Sequence, residues 1–108
     1  LSSGIEISSM ADIPSGSGLG SSSTYTVGLL NSLHNLKRDY FSLQDLAEEA
    51  CKIEIDILKK PMGKQDQYLA TFGGFLVMDI GKDGVVNVSR ANASASTLDG
   101  LNRNLLIF

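Results

Sequence analysis

The chain has 108 residues, 43% of them hydrophobic and 19% charged, a composition typical of one small globular domain with a single core. Its net charge of −3 gives no electrostatic attraction to nucleic acid, and no apolar run approaches the roughly 18 residues that a membrane span needs. We therefore expect neither a nucleic-acid partner nor a membrane partner. The lone Cys51 is predicted to be a small core residue, in keeping with a reducing cytoplasm.

Both ends of the chain are apolar, with Leu1 at the start and Leu105-Leu-Ile-Phe108 at the finish. A run of this kind is more typical of a strand interior than of a free terminus. We therefore expect the chain to be a piece of a longer protein.

The first half of the chain predicts a strand, a loop and a helix. Residues 4–11 alternate at their start and favour a strand, and a Gly/Ser-rich loop follows from Asp12 to Gly20. From Ser21 to about Leu36, apolar residues recur at helical spacing. The polar residues 35–40 then predict a connection.

A second helix has a clear start signal. Ser42 is a good N-cap and Asp45 follows at the capping-box spacing. The hydrophobic-staple positions on either side of this cap are filled by Phe41 and Leu46. The helix should end near Leu58, because the residue before Pro61 avoids the helical region.

The remaining residues predict shorter elements. A short helix is expected around Gln67 to Phe72, and Gly73-Gly74 breaks the chain. Residues 75–80 and 85–88 predict a hairpin across Gly81-Lys-Asp-Gly84. Residues 90–100 are expected to be irregular, and residues 101–108 to begin another element. The pattern indicates a mixed α/β layer.

The segment from Asp12 to Thr24, DIPSGSGLGSSST, leaves two interpretations open. It is not a Walker A loop, since no lysine follows Gly20, nor a dinucleotide fingerprint, because its third glycine comes one position early. A flexible linker is disfavoured because the segment joins a predicted strand to a predicted helix. What remains is a tight turn with serine caps, or an anion site built from loop backbone and helix N–H groups.

Glu54 stands out in the second helix. At about 100° per residue it lies in the middle of an apolar face, whose other members are Leu43, Ala47, Ala50, Ile57 and Leu58. A buried carboxylate needs a partner or becomes neutral. Either the helix faces two ways and Glu54 meets a lysine or a backbone cap, or Glu54 points into a site for a cation. The basic pairs Lys37-Arg38 and Lys59-Lys60 are interpreted as solvated helix ends.

The polar run Gly63-Lys-Gln-Asp-Gln-Tyr68 lies between Pro61 and Gly73-Gly74, which shape its backbone. Asp66 stands between two amides that are able to orient it. A carboxylate fixed in this way suits a general base acting on a hydroxyl, or a second metal contact. The alternative is an ordinary solvated loop.

The segment Pro14-Ser-Gly-Ser-Gly18-Leu-Gly20-Ser21-Ser22 matches Pro-x-x-x-Gly-Leu-Gly-Ser-Ser, the phosphate-binding signature of the GHMP kinases. On this specific motif the chain resembles that family, which includes galactokinase, homoserine kinase and mevalonate kinase. Asp12-Ile-Pro, Ile53-Glu54-Ile and the run around Asp66 look most like its sugar kinases acting on D-glycero-D-manno-heptose 7-phosphate. The resemblance covers essentially the whole chain, but only the middle of a full-length kinase.

This resemblance implies an α/β (α+β) fold of the ribosomal-protein-S5-domain-2-like type, truncated at both ends. Residues 1–100 would form part of the N-terminal, ATP-binding domain. Residues 101–108 would begin the connection to a C-terminal domain. Motifs that the family carries further toward each terminus are missing here, so we expect the chain by itself to be inactive.

The resemblance also implies roles for individual residues. The ATP phosphates would be held by Pro14, Ser15, Gly16, Ser17, Gly18, Leu19, Gly20, Ser21, Ser22 and Ser23. Ser22, with Ser21 the weaker match, and Glu54 would ligate Mg²⁺, and Asp66 would act as base or orienting group for the acceptor hydroxyl. Substrate contacts are expected from Lys64, Gln65 and Gln67. Lys64 is a candidate for the distal phosphate of the sugar, with an exposed surface lysine as the alternative.

The implied activity is ATP-dependent phosphoryl transfer to a sugar hydroxyl. For the heptose-kinase subtype the acceptor is C1 of D-glycero-D-manno-heptose 7-phosphate and the product a 1,7-bisphosphate. One alternative is another sugar 1-kinase, of the galactose or fucose type. A second is a non-catalytic nucleotide- or sugar-binding sensor, against which the presence of both Glu54 and Asp66 argues.

Overall fold

The computed structural model describes residues 4–14 and 16–106 and divides into two compact units, residues 1–73 and 74–108. The first unit is helical, and the second consists of a hairpin and a helix, so the chain has an α+β architecture. Ser15 and the last two residues of the predicted terminal element lie outside the described residues. Over the described ranges, no helix is long and apolar enough to cross a bilayer.

In its described residues, the first unit contains three helices, which confirm the three predicted ones. They are α1 (Ser21–Lys37), α2 (Leu43–Cys51), which continues into a π-helical turn (Lys52–Ile57), and α3 (Gln65–Phe72). The helices pack on one another. Their core consists of Val27, Leu30, Leu46 and Ala50, with Phe41, Ile53 and Ala70 packed against it.

Cys51 is a core residue, as predicted, with 2% of its surface exposed. Burial, together with the nearby negative charge of Glu48, raises the pKa of its thiol to about 11. A buried thiol with a raised pKa is mostly protonated at neutral pH and is a poor nucleophile.

The predicted start of α2 is confirmed in detail. The Ser42 hydroxyl accepts a hydrogen bond from the Asp45 N–H at 3.0 Å, and the Asp45 carboxylate accepts one from the Ser42 N–H at 3.2 Å. Each side chain thus satisfies a backbone donor that the helix cannot. Phe41 and Leu46, at the staple positions, belong to the same core.

Replacing Ser42 by alanine should destabilise the protein by about 1 kcal/mol, because an N-cap hydroxyl is lost. Urea unfolding of the protein that carries this chain measures the change. Ser32→Ala is the matched control, since the Ser32 hydroxyl only bonds back to the Gly28 carbonyl on an exposed part of α1. Equal stability losses in the two variants would contradict the role of the cap.

The predicted helix from Ser42 to Leu58 changes its geometry after Cys51. The Leu58 N–H donates to the Ile53 carbonyl at 2.9 Å, the i to i+5 pattern of a π turn. A π turn contains more residues than an α turn. A helical wheel drawn at α-helical pitch therefore assigns the residues at the C-terminal end of this helix to the wrong face. Three members of the predicted apolar face are exposed, namely Leu43 in the first turn, Ile57 and Leu58. The burial of Ala47, Ala50 and Glu54 is confirmed.

The strand predicted over residues 4–11 is wrong. These residues have no regular secondary structure, and in the described part of the chain the one sheet is the two-stranded hairpin of the second unit. A strand exists only where a neighbour supplies ladder hydrogen bonds, which an alternating pattern cannot guarantee. The segment instead lies along α1, where the Ser9 hydroxyl donates to the Tyr25 hydroxyl at 3.1 Å.

The second unit confirms the predicted hairpin and contains a helix where none is predicted. Strands β1 (Leu76–Ile80) and β2 (Val86–Arg90) pair antiparallel, with Ile80 opposite Val86 next to the turn. Gly84 takes a positive φ of 82° there. The expectation that residues 90–100 are irregular is wrong, since α4 (Ala95–Arg103) begins among them, where the Ser94 hydroxyl caps the Thr97 N–H at 3.1 Å.

Candidate functional site

The glycine-rich loop leads directly into α1. Gly16, Gly18 and Gly20 all have positive φ, at 77°, 75° and 69°. Gly20 is the N-cap residue of α1, and its left-handed conformation costs an L-residue about 1–2 kcal/mol. Pro14 and the residues from Gly16 to Leu19 are exposed. The loop is therefore open to a ligand, with its backbone accessible.

Among the described residues, the first N–H groups of α1 have no hydrogen-bond acceptor. The first intrahelical bond runs from the Thr24 N–H to the Gly20 carbonyl at 2.9 Å. The N–H groups of Ser21, Ser22 and Ser23, which precede Thr24, therefore have no acceptor within the helix. Gly20 has no side chain to cap them, and the first turn contains no acidic residue. Because the helix dipole adds partial positive charge, this end of α1 is suited to an anion.

The Glu54 carboxylate lies against the same first turn and is fully buried. It accepts hydrogen bonds from the Ser22 hydroxyl at 2.6 Å and from the Ser23 hydroxyl at 2.7 Å. The Gln67 amide donates to it at 2.8 Å, and the Lys60 ammonium also lies 2.8 Å away. Two helices and the π turn therefore hold one carboxylate beneath the loop.

These donors keep Glu54 ionised. Burial acts to raise the pKa of its carboxyl group, but hydrogen bonds from Lys60, Ser22, Ser23 and Gln67 outweigh it and lower that pKa to about 2. The group is thus a carboxylate at every physiological pH. A buried and fixed negative charge of this kind attracts a cation.

Lys60 supplies a cation to this position. Its ammonium donates to the Ser22 hydroxyl at 2.5 Å and to Glu54 at 2.8 Å. The interpretation of Lys59-Lys60 as a solvated pair is therefore wrong for Lys60, although Lys59 is exposed. Of the two interpretations left open for Glu54, contact with a lysine is what the structure shows, and it places positive charge between the two candidate metal ligands.

Asp66 lies on the other side of the loop, in the first turn of α3. A Cβ atom on Gly20 would stand 3.5 Å from the Asp66 Cγ, so the loop backbone and the carboxyl group are in close contact. A cavity of about 240 Å³ is lined by Leu19, Gly20, Thr24, Asp66, Leu69 and Ala70. The loop therefore has Glu54 beneath its helical end and Asp66 beside Gly20.

The three candidate substrate residues occupy different environments. Gln65 is exposed, whereas Gln67 is fully buried and bonds to Glu54. The Lys64 ammonium is paired with both Glu48 oxygens, at 2.8 and 3.1 Å. The Tyr68 hydroxyl also donates to Glu48, and the structure thus holds Lys64 in a salt bridge and gives Gln67 an internal partner.

The sequence predicted a lysine as one possible partner of Glu54, but it did not identify Lys60 as that lysine or Ser23 as a further donor. Ser23 directly follows Ser22 on the helix, and a buried first-turn serine gives no separate signal in a run of hydroxyl residues. Lys60 lies six positions after Glu54, and its approach depends on the turn after the π helix. The useful signal was the buried glutamate itself, which requires a positive partner.

The donor set at Glu54 and Ser22 fits a hard divalent cation. Mg²⁺ binds oxygen ligands and is usually held by one or two protein groups together with phosphate and water. A carboxylate and a hydroxyl in contact, already bridged by an ammonium, provide such a pair. Within residues 4–14 and 16–106, there is no cluster of three or more His, Cys, Asp or Glu side chains that could hold a metal ion.

Comparison with known proteins agrees with this geometry. Residues 1–74 match the model of the GHMP kinases N terminal domain. The chain belongs to the GHMP kinase family. It is also 41% identical, over 101 residues, to D-glycero-alpha-D-manno-heptose 7-phosphate kinase of Campylobacter jejuni. That alignment covers 91% of this chain and 29% of the relative, and no solved structure matches.

The chain thus spans less than a third of the length of this relative. The matched family region ends at residue 74 and thus contains the glycine loop, the π turn with Glu54, and α3 with Asp66. The resemblance drawn from Pro14 to Ser22 is therefore confirmed at the level of the family.

Proposed function

We propose that the protein carrying this chain transfers the γ-phosphoryl group of ATP to the C1 hydroxyl of D-glycero-D-manno-heptose 7-phosphate, forming the 1,7-bisphosphate. The observation that carries the proposal is the buried, ionised Glu54 held by Ser22 and Ser23 at the helix that follows the glycine loop. The choice of sugar is supported by the similarity to the heptose 7-phosphate kinase of Campylobacter jejuni.

In this proposal the loop and α1 bind the phosphates of ATP. The backbone N–H groups of Ser21, Ser22 and Ser23 would donate to the phosphates at the helix N-terminus, and the exposed Pro14 and Gly16 to Leu19 would line the site. Ser22 and Glu54 would hold Mg²⁺, which when bound neutralises negative charge on the transferred phosphoryl group.

Asp66 then acts on the acceptor sugar. Its carboxylate takes the proton of the C1 hydroxyl while the oxygen–phosphorus bond forms and the bond from γ-phosphorus to the bridging oxygen breaks, releasing ADP. The contact between Asp66 and Gly20 supports this role, because it sets the carboxyl group beside the loop that would hold the phosphates. Gln65 is the exposed candidate for a sugar contact, and Gln67 is the positioning residue for Glu54.

The domain organisation also remains a proposal. We infer that residues 1–100 belong to an ATP-binding domain of the ribosomal-protein-S5-domain-2-like type, and that residues 101–108 begin the connection to a C-terminal domain. The family match supports the assignment of residues 1–74 to this domain. A cytoplasmic location is supported by the unpaired, buried Cys51.

A phosphoryl-transfer assay of the full-length protein tests the function. Mg·ATP is offered with heptose 7-phosphate, free heptose, galactose and fucose, and ADP release is measured by a coupled assay. We expect turnover with heptose 7-phosphate, and a ³¹P resonance coupled to the anomeric proton of the product.

Other outcomes assign the function differently. Turnover of galactose or fucose, with none of heptose 7-phosphate, would show another sugar 1-kinase. ATP binding without transfer to any sugar would favour a nucleotide-binding sensor. If the full-length protein does not bind ATP, the site assignment itself is wrong.

A further inference from the structure

The Lys60 side chain contacts both groups that the proposed function assigns to the metal, Ser22 and Glu54. Its ammonium is 2.5 Å from the Ser22 hydroxyl and 2.8 Å from the Glu54 carboxylate, in the position where a cation would join them. Glu54 is fully buried, whereas 38% of the Lys60 side chain is exposed. The ammonium therefore approaches the buried carboxylate from the solvent side.

The backbone is shaped to bring Lys60 back to Glu54. Lys59 takes a left-handed φ of 53°, which is unfavourable for a residue with a side chain. This turn lets the Lys60 N–H donate to the Glu54 carbonyl at 3.0 Å, and Met62 N–H donates to the Lys60 carbonyl at 2.9 Å. Lys60 thus contacts Glu54 through both its main chain and its side chain. The main-chain hydrogen bond fixes the Cα atom of Lys60 close to Glu54.

Resting on the proposed function, we infer that Lys60 is a tethered cation that competes with the divalent ion for Ser22 and Glu54 and binds the nucleotide phosphates when displaced. Before the nucleotide binds, its ammonium balances the charge of Glu54. The same ammonium and a divalent ion cannot share the pair, because two cations a few ångströms apart repel each other.

The direction of the displacement is set by the geometry. The main chain of Lys60 is fixed, so only the partly exposed side chain is free to move. Ser22, its present partner, lies in the first turn of α1, whose N–H groups face the proposed phosphates. An ammonium leaving Ser22 therefore meets the proposed phosphates at this end of α1, and lysine binds phosphate as a compact point charge.

The test uses the full-length protein, with β,γ-imido-ATP as the nucleotide probe and Mn²⁺ as the metal probe. The Lys60→Gln variant keeps a side chain that donates hydrogen bonds, but its charge is gone. We expect metal-free nucleotide affinity in EDTA to fall about tenfold or more, since a charge-assisted contact to phosphate is lost. We expect Mn²⁺ to bind the nucleotide complex more tightly than in the wild type, measured as free Mn²⁺ by electron paramagnetic resonance.

These opposite shifts separate the proposal from a structural role, which would weaken both affinities. Lys59→Gln is the matched control, since it removes the neighbouring charge, and it should leave both affinities within about twofold. Unchanged affinities in Lys60→Gln, or a loss of both, would overturn the proposal. Lys60→Arg keeps the charge, so metal-free nucleotide affinity should stay within about threefold of the wild type, and a folded Lys60→Arg that loses it would also overturn the proposal.

The result is distinguishable from failure of the proposed function. If the wild-type protein does not bind the nucleotide, both ideas fail together. If the wild type binds nucleotide and phosphorylates a sugar while the Lys60 variants behave like the wild type, the function stands and the tethered-cation role is wrong.

Discussion

Replacing Asp66 by asparagine should lower kcat of the full-length protein by a factor of about 10² to 10⁴, the usual contribution of a positioned general base. Asparagine has the same shape but cannot take the proton of the attacking hydroxyl. Nucleotide affinity should stay near the wild-type value, because the phosphates are proposed to bind the loop and α1 and not the Asp66 carboxylate. The measurements are kcat from steady-state ADP release and the Kd of β,γ-imido-ATP.

Asp56→Asn is the control for this substitution. Asp56 is an exposed carboxylate on the π turn that also carries Glu54, so the same chemical change there should leave kcat nearly unaltered. Wild-type kcat in Asp66→Asn would contradict the assignment of Asp66 as the base. A loss of nucleotide affinity with little change in kcat would instead show that Asp66 supports the loop through its contact with Gly20.

The parts of the fold that were predicted correctly are those decided by neighbouring residues. The capping box of Ser42 and Asp45 involves residues three positions apart, and the hairpin turn at Gly84 needs one glycine with positive φ. Such signals act before any tertiary contact forms. The strand expected over residues 4–11 depends instead on a partner strand, and a local alternation of side chains cannot supply one.

The candidate site, like the fold, could be predicted in part from the sequence. The glycine loop and the buried charge of Glu54 could be recognised in the sequence, because each breaks an ordinary pattern. A lysine partner for Glu54 could also be expected, but its identity could not, since Lys60 reaches Glu54 only after a π turn and a left-handed residue at Lys59, neither of which a constant helical pitch includes. The helical-wheel prediction that placed Glu54 correctly on the buried face also placed Ile57 and Leu58 there, but both are exposed.

Replacing Glu54 by glutamine should raise the Mg²⁺ concentration needed for half-maximal activity by about tenfold or more, because a charge-assisted ligand becomes a neutral one. Raised Mg²⁺ should restore part of the lost activity, since Ser22 and the nucleotide phosphates remain as ligands. Glu6→Gln changes an exposed glutamate in the same unit and should leave the Mg²⁺ dependence unaltered. Wild-type Mg²⁺ dependence in Glu54→Gln would remove Glu54 from the metal site.

The same variant should also change how stability depends on pH. The pKa of Glu54 is about 2 in the folded protein against a reference value of 4.5, so its ionised form stabilises the fold fully above pH 4.5, and this contribution is lost as the pH falls toward 2. This lowering of the pKa corresponds to a contribution on the order of 3 kcal/mol to the free energy of unfolding at neutral pH. Urea unfolding of wild type and Glu54→Gln should therefore differ most near neutral pH and converge in acid. A difference that is independent of pH between 3 and 7 would mean that Glu54 is held by its shape and hydrogen bonds and not by its charge.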